Sequence, residues 1–413
     1  MISQVERKHQ ITRVVANKPL YIPIYLFNTR TITLYSLSIY SILDARSLIA
    51  SIHGSHHQIN RDLSEHTNNM SNSTAFVELP TPEGLDIVSD MKLNNENLLV
   101  STWDNRVLLY SCRPQAHQLT AEISTKSTPL SLFTGSHNTY VGSVNGAINE
   151  VDFENLKIYN DNLSSFDDDL SNGINNIRGI NDQPNSLIAS SFSGKLQMVD
   201  TRYRKSVLVN PNLNHKIHTM DTNDTKLVLG LSGNVIQIYD IRNINTPMET
   251  RELGLKFQIS DLKCYPNQQG FAVATIDGRV SMEYFDSSPQ FQALNRFTFK
   301  CHRSHDRASG NDIVHCVNSI AFHPTHGTLF TSGSDGGLCL WDVEKRKRMK
   351  MFPRFSDPIM KIACNDSIVA VATSDDKFTR MSKILSEDSQ SAKPSKVYIL
   401  HLSSTDCMPK KRN

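Results

Sequence analysis

From Phe76 onward the chain repeats one device: a two-residue turn between two short β-rich runs. The turns are Asp104-Asn105, Asn145-Gly146, Ser193-Gly194, Ser232-Gly233, Asp277-Gly278, Asp335-Gly336 and Asp375-Asp376. Their second residues lie 41, 48, 39, 45, 58 and 40 positions apart. Several pairs are of the kinds that supply positive φ for tight hairpins. Runs such as Leu98–Trp103, Thr139–Val144, Leu187–Phe192, Lys226–Leu231, Phe271–Ile276 and Leu329–Ser334 precede the turns. Runs such as Val107–Tyr110, Lys195–Val199, Val235–Tyr239 and Leu338–Trp341 follow them. No long helical periodicity interrupts the pattern.

A repeat near forty residues with four strands per unit predicts the blades of a β-propeller. One such unit has two apolar faces and cannot fold alone. A ring buries each face on the next blade and leaves only short edges. Seven turns predict seven blades, so the fold class is all-β, a seven-bladed WD-repeat β-propeller. The sixth repeat ends on Trp341-Asp342, the dipeptide of WD repeats. Phe76–Leu79 precedes the first repeat and is expected to pair with the last blade and close the ring. The last blade takes its strand after the turn from Val397–Leu402, which makes Lys377–Ser395 a polar insertion. The domain reading is residues 1–75 as an extension, 76–402 as the propeller and 403–413 as a basic tail. For any single turn Gly, Asn or Asp, conformation alone is a sufficient reason for its presence.

The extension has its own composition. Its apolar runs, Leu20–Phe27 and Thr31–Leu43, are interrupted by Pro23 and stopped by Asp44. Both fall short of the roughly 18 residues needed to span a bilayer. Signal-peptide logic fails for want of a small-residue cleavage site. Arg, Ser and Leu with few acids are compatible with a mitochondrial presequence. Gly54–Thr74 is rich in His, Asn and Ser and reads as disordered. Met70 stands as an alternative start.

Charge and cysteine content exclude several classes. The formal net charge is +2, which gives no bulk drive toward nucleic acid, and no nucleic-acid or membrane partner is expected. Seven scattered cysteines form no C-x-x-C pair, which argues against a disulfide scaffold and favours a reducing compartment. His323-Pro-Thr-His326 contains a helix-breaking proline, and Cys301-His302 with His305-Asp306 lacks a second cluster, so neither is expected to hold a metal. No G-x-S-x-G elbow is present. Neither an enzymatic activity nor a cofactor is expected. The tail Pro409-Lys410-Lys411-Arg412 suits either a nuclear-import signal or a solubilising terminus.

Two stretches carry a specific resemblance: Gly270–Arg303, with Asp-Gly-Arg-Val, Glu-Tyr-Phe-Asp and Phe-Lys-Cys-His-Arg, and Val317–Asp342. Lys216–Gly230, Gly254–Ile259 and Lys361–Asp376 add to it. The chain resembles the mitotic-checkpoint WD-repeat proteins of the Bub three type from about Phe76 to Leu402. The related messenger-RNA export WD-repeat family is the runner-up, and a substrate receptor in ubiquitin ligation a more distant reading.

The resemblance implies a nuclear, non-enzymatic adaptor that works at kinetochores in mitosis. Its implied partners are a checkpoint kinase and its pseudokinase relative, held through short linear motifs, and a kinetochore scaffold carrying phosphorylated Met-Glu-Leu-Thr motifs. The peptide-binding aromatics of the family fall at Trp103 and at Phe192, where the family usually has Trp. The phosphate-facing cations fall at Arg279 and Lys300, and Arg303 joins them in a basic cluster with His302. A further family Arg is Ser260 here. Phosphothreonine calls for convergent Arg or Lys donors in any case. The plainer readings are a solvated rim for the cations and blade packing for Trp103.

Overall fold

Alternation of buried and exposed residues turns the β-rich runs into strands. Val235–Asp240 and Lys396–His401 each keep every second side chain inward over most of their length. The computed structural model describes residues 75–409, apart from 115, 136–137, 182, 211–212, 308–309 and 376–392. Met70, most of the Lys377–Ser395 insertion and the cations Lys410, Lys411 and Arg412 lie outside the described residues.

Seven four-stranded antiparallel sheets follow one another in chain order. Blade 1 is Val88–Asn94, Asn97–Thr102, Arg106–Arg113 and Ala116–Ser124. Blades 2, 3 and 4 begin at Pro129–Thr134, Ile174–Ile180 and Ile217–Thr222. Blade 5 is Ile259–Cys264, Gly270–Thr275, Arg279–Tyr284 and Phe297–Lys300. Blade 6 is Val317–Phe322, Leu329–Gly333, Leu338–Asp342 and Lys347–Met351. Blade 7 takes Ile359–Cys364, Ile368–Thr373 and Lys396–His401 from the end of the chain. Its outer strand is Val77–Glu78, paired as Val77↔Ile399 and Glu78↔Tyr398. The fold is the seven-bladed propeller expected from the turns.

The first strand of each blade lies beside the first strand of the next, and that of blade 7 lies beside that of blade 1, so the ring closes around them. Seven apolar clusters of described residues fill the seven gaps. The cluster between blades 7 and 1, for example, joins Ile368, Ala370, Ala372, Val397 and Ile399 to Leu98, Val100, Leu108 and Tyr110. Burying a Leu, Ile or Val contributes about 1.5–3 kcal/mol, so the gaps hold the ring together.

Two features repeat at one end of the ring. Each first strand carries a β-bulge at its second residue, at Ser89, Leu130, Asn175, His218, Ser260, Asn318 and Met360. The residue before each two-residue turn donates its N–H to the link entering the same blade. Trp103 N–H bonds Ile87 O at 2.9 Å, Phe192 N–H bonds Gly173 O at 3.1 Å and Ile276 N–H bonds Gln258 O at 3.1 Å. The turns therefore lock onto the inter-blade links at one face, here termed the top. Positive φ recurs at the second turn residue, as at Asn105 (65°) and Gly194 (89°). At Gly194 a Cβ would meet His215 O at 2.2 Å, so only glycine fits.

The long interval of 58 between the fifth and sixth turns has a structural cause. A helix, Pro289–Asn295, and a two-stranded hairpin, Arg303–Asp306 with Asn311–Val314, are inserted there. Neither was expected from the repeat pattern. The helix is too short to register as periodicity, and its Ser288 makes no side-chain cap. No helix among the described residues is long and apolar enough to cross a membrane.

Candidate top-face site

Antiparallel order places the turn between second and third strands at the same end as the link from the fourth strand to the next blade. Trp103, Phe192, Arg279, Lys300, Arg303 and Ser260 all sit at turns, links or bulges of this kind, so the top face holds every residue singled out above.

Blade 5 brings the three cations together. Arg279 opens the third strand, Lys300 ends the fourth, and the two are direct cross-strand partners. Cys301 N–H bonds Gly278 O at 2.9 Å, which pins the following link against the turn. Arg303 Nη2 then reaches Asp277 O at 2.8 Å. Asp277 accepts from Thr275 Oγ1 at 2.6 Å and lies 2.7 Å from Arg279 Nε. Arg303 Nε and Ser260 Oγ are shielded from solvent and make no hydrogen bond, whereas Arg279 Nε is held in its ion pair with Asp277. Lys300 is exposed and outside every ion pair among the described residues.

Blade 1 repeats the Thr-x-Asp-x-Arg arrangement with a different outcome. Thr102 Oγ1 bonds Asp104 at 2.5 Å, and Arg106 is gripped by Asp104 and by Glu122 at 3.4 Å. The strand partner of Arg106 is Ser124, whereas that of Arg279 is Lys300. Arg106 is compensated by two carboxylates. Of Arg279, Lys300 and Arg303, Arg279 alone pairs with a carboxylate among the described residues.

Trp103 and Phe192 hold equivalent places before the turns of blades 1 and 3, and both are half-buried. Val144 takes that place on blade 2, so blades 1–3 carry an apolar arc. Ser232, Ser334 and Ser374 take it on blades 4, 6 and 7.

His302 corrects the sequence reading. It is not part of a free basic cluster but is buried, with Nδ1 2.8 Å from Asp335 and Nε2 3.0 Å from Thr331 Oγ1. Trp341 Nε1 donates to the same hydroxyl at 3.0 Å. Burial alone would raise the Asp335 carboxyl, and the hydrogen bond and charge of His302 bring it to about 2. This network spends His302 on holding blade 6. The clue was the turn acid Asp335 spaced before Trp341-Asp342, which the repeat reading used only for the turn.

His218, on the bulge one blade before Ser260, was missed altogether. Burial, with Lys216 nearby, depresses its imidazole to about 4, so it is neutral at pH 7. His323 Nδ1 accepts from His326 N–H at 3.2 Å. Among the described residues no three His, Cys, Asp or Glu side chains converge as a metal site.

A closed ring of seven four-stranded antiparallel blades defines the chain as a WD-repeat β-propeller. The chain matches no protein-family model. It is 31% identical over 290 residues to the spindle assembly checkpoint protein bub3 of Schizosaccharomyces pombe, covering 70% of this chain and 87% of that protein. It is 29% identical over 356 residues to the mitotic checkpoint protein BUB3.1 of Arabidopsis thaliana, covering 82% of this chain and 96% of that one. It is 37% identical over 160 residues to the protein RAE1 of Arabidopsis thaliana, a match that covers 39% of this chain and 43% of that one. The chain belongs to the Bub3 family of mitotic checkpoint WD-repeat proteins.

Proposed function

We propose that this protein is a non-enzymatic spindle-checkpoint adaptor acting in the nucleus and at kinetochores in mitosis. Its blade 1–3 arc, with Trp103 and Phe192, takes short linear segments of a checkpoint kinase and its pseudokinase relative. Its blade 5 turn, with Arg279, Lys300 and Arg303, takes phosphorylated Met-Glu-Leu-Thr motifs of a kinetochore scaffold. One observation carries the second assignment: Arg279, its cross-strand partner Lys300 and the neighbouring Arg303 gather where Asp277 is the carboxylate that pairs with Arg279, and Lys300 is exposed. Three cations around one carboxylate suit a phosphate dianion, which offers three acceptor oxygens.

A charge-assisted hydrogen bond contributes roughly 1.5–3 kcal/mol. Arg279→Ala is therefore expected to weaken a phosphorylated Met-Glu-Leu-Thr peptide about tenfold or more, at ~1.4 kcal/mol per decade. Binding of the kinase-derived peptide is expected to change little. Ser260→Arg adds a cation on the blade 5 bulge and is expected to tighten the phosphopeptide and steepen its salt dependence. Titration of phosphorylated and unphosphorylated peptides at two salt concentrations decides the matter. Equal affinity of the wild type for both peptides removes phosphate reading. Trp103→Ala gives the reverse pattern, with the kinase peptide weakened by at least about tenfold, the scale of an aromatic anchor. Recovery of a nuclear-pore protein rather than a checkpoint kinase with the tagged chain would favour the export reading.

A further inference from the structure

Below the bulges, five of the seven first strands, those of blades 1, 3, 4, 5 and 7, carry charge toward the centre of the ring. Asp90 and Lys92 on blade 1, Asp261 and Lys263 on blade 5, and Arg178 and Asp221 on blades 3 and 4 form three ion pairs, at 2.8, 3.3 and 2.8 Å. Each side chain keeps between 11% and 26% of its surface accessible, as groups lining a narrow channel do. Their fields cross the ring. Asp90 is acted on by Arg178, two blades away, and by Lys361 of blade 7. Lys92 is acted on by Arg178 and by Lys263 of blade 5. Charges from blades 1, 3, 5 and 7 reach one another only by facing a common axis.

The carboxylates are committed. Asp90 also accepts Leu132 N–H of blade 2 at 2.9 Å, Asp221 accepts Cys264 N–H of blade 5 at 2.8 Å, and Asp261 accepts Ile320 N–H of blade 6 at 3.0 Å. The cations are not all matched. The Lys361 side chain makes no hydrogen bond or ion pair among the described residues, and Arg178 spends Nε on Asp221 and Nη1 on Ile177 O. Four cations face three carboxylates, and an uncompensated positive charge inside a protein is costly.

We infer that the axial channel binds a small inorganic oxyanion, phosphate in the first instance, held by Lys361 with Arg178, Lys263 and Lys92 around it. An oxyanion accepts several charge-assisted hydrogen bonds at once, which matches donors converging from separate blades. The state of Lys92 agrees. Burial depresses its amine to about 8, Asp90 opposes that, and Arg178 and Lys263 add to it. A bound anion favours the protonated amine, so affinity falls as pH rises through about 8.

The test uses the full chain, titrated with inorganic phosphate at low-millimolar concentration and constant ionic strength set by a large organic anion. Calorimetry and the thermal midpoint are the readouts. Wild type is expected to bind phosphate saturably and to gain midpoint. Lys361→Met breaks no ion pair, and is expected to lose at least about tenfold in affinity. Lys361→Gln serves if the Met variant does not fold. Binding at pH 9 is expected to be weaker than at pH 7. No saturable binding by wild type, or equal binding by the Lys361 variant, would each overturn the axial site. A chloride response equal to that of phosphate would overturn the oxyanion assignment.

Discussion

A chain shortened to begin at Glu83 is expected to aggregate or to lose several kcal/mol of stability. The lost segment supplies the outer strand of blade 7. Leu79 N–H bonds Val397 O at 2.8 Å, and its side chain is 1% exposed in the gap between blades 7 and 1. Phe76 meets Phe352 and Phe355 edge-on, at 5.8 and 5.1 Å between ring centres. Removal uncovers the edge of Lys396–His401, an invitation to pair with another chain. The ion pair of Lys396 with Glu78 adds little, because both side chains are near half exposed. Sedimentation and chemical denaturation give the answer. A shortened chain that stays monomeric and equally stable would show that the ring closes without this strand.

Asp261→Ala is the second large effect expected. This one side chain ties three blades. It accepts from Thr219 Oγ1 of blade 4 at 3.4 Å, from its own neighbour Leu262 N–H at 2.8 Å, and from Ser319 Oγ and Ile320 N–H of blade 6 at 3.1 and 3.0 Å. Its removal strands Lys263 and a buried N–H. Breaking such a pair costs about 3–5 kcal/mol, enough to lower the thermal midpoint by ~5 °C or more. The acid limb of stability should change as well. Burial raises the Asp261 carboxyl, but Lys263, Lys361 and the bound N–H groups outweigh it and hold it low. Asp90 is brought to about 2 by Lys92, Lys361 and Arg178 against the same burial. A depressed carboxyl stabilises the fold above its unfolded value near ~3.9, and that gain is lost as pH falls through the folded value. Wild type should therefore lose stability below about pH 4, and Asp261→Ala should lose less over that window. An unchanged midpoint for the variant would mean that the inter-blade bonds are replaceable.

The blade count was legible because turn chemistry is local. Asn105 and Gly194 adopt positive φ for reasons contained in two residues. The closing strand was legible by elimination, since Phe76–Leu79 had no other sheet to join. The helix Pro289–Asn295 and the hairpin after Arg303 were not, because both are shorter than the windows in which periodicity shows. Arg279 and Lys300 were found through resemblance, and Arg303 through its place in the basic run that follows them. Nothing in the chain order announces that Arg279 faces Lys300 while Arg106 faces Ser124.

By itself, then, the sequence determined seven four-stranded units and their closure, since a two-residue strand period and a two-residue turn act within a few positions. The tertiary structure alone decided which polar groups meet. His302 finds Asp335 33 positions away, Arg178 finds Asp221 43 away, and Asp261 finds Ile320 59 away. Such pairs form because the ring sets blades side by side and first strands around one axis. Their partners are chosen by geometry in three dimensions, where spacing along the chain carries no information.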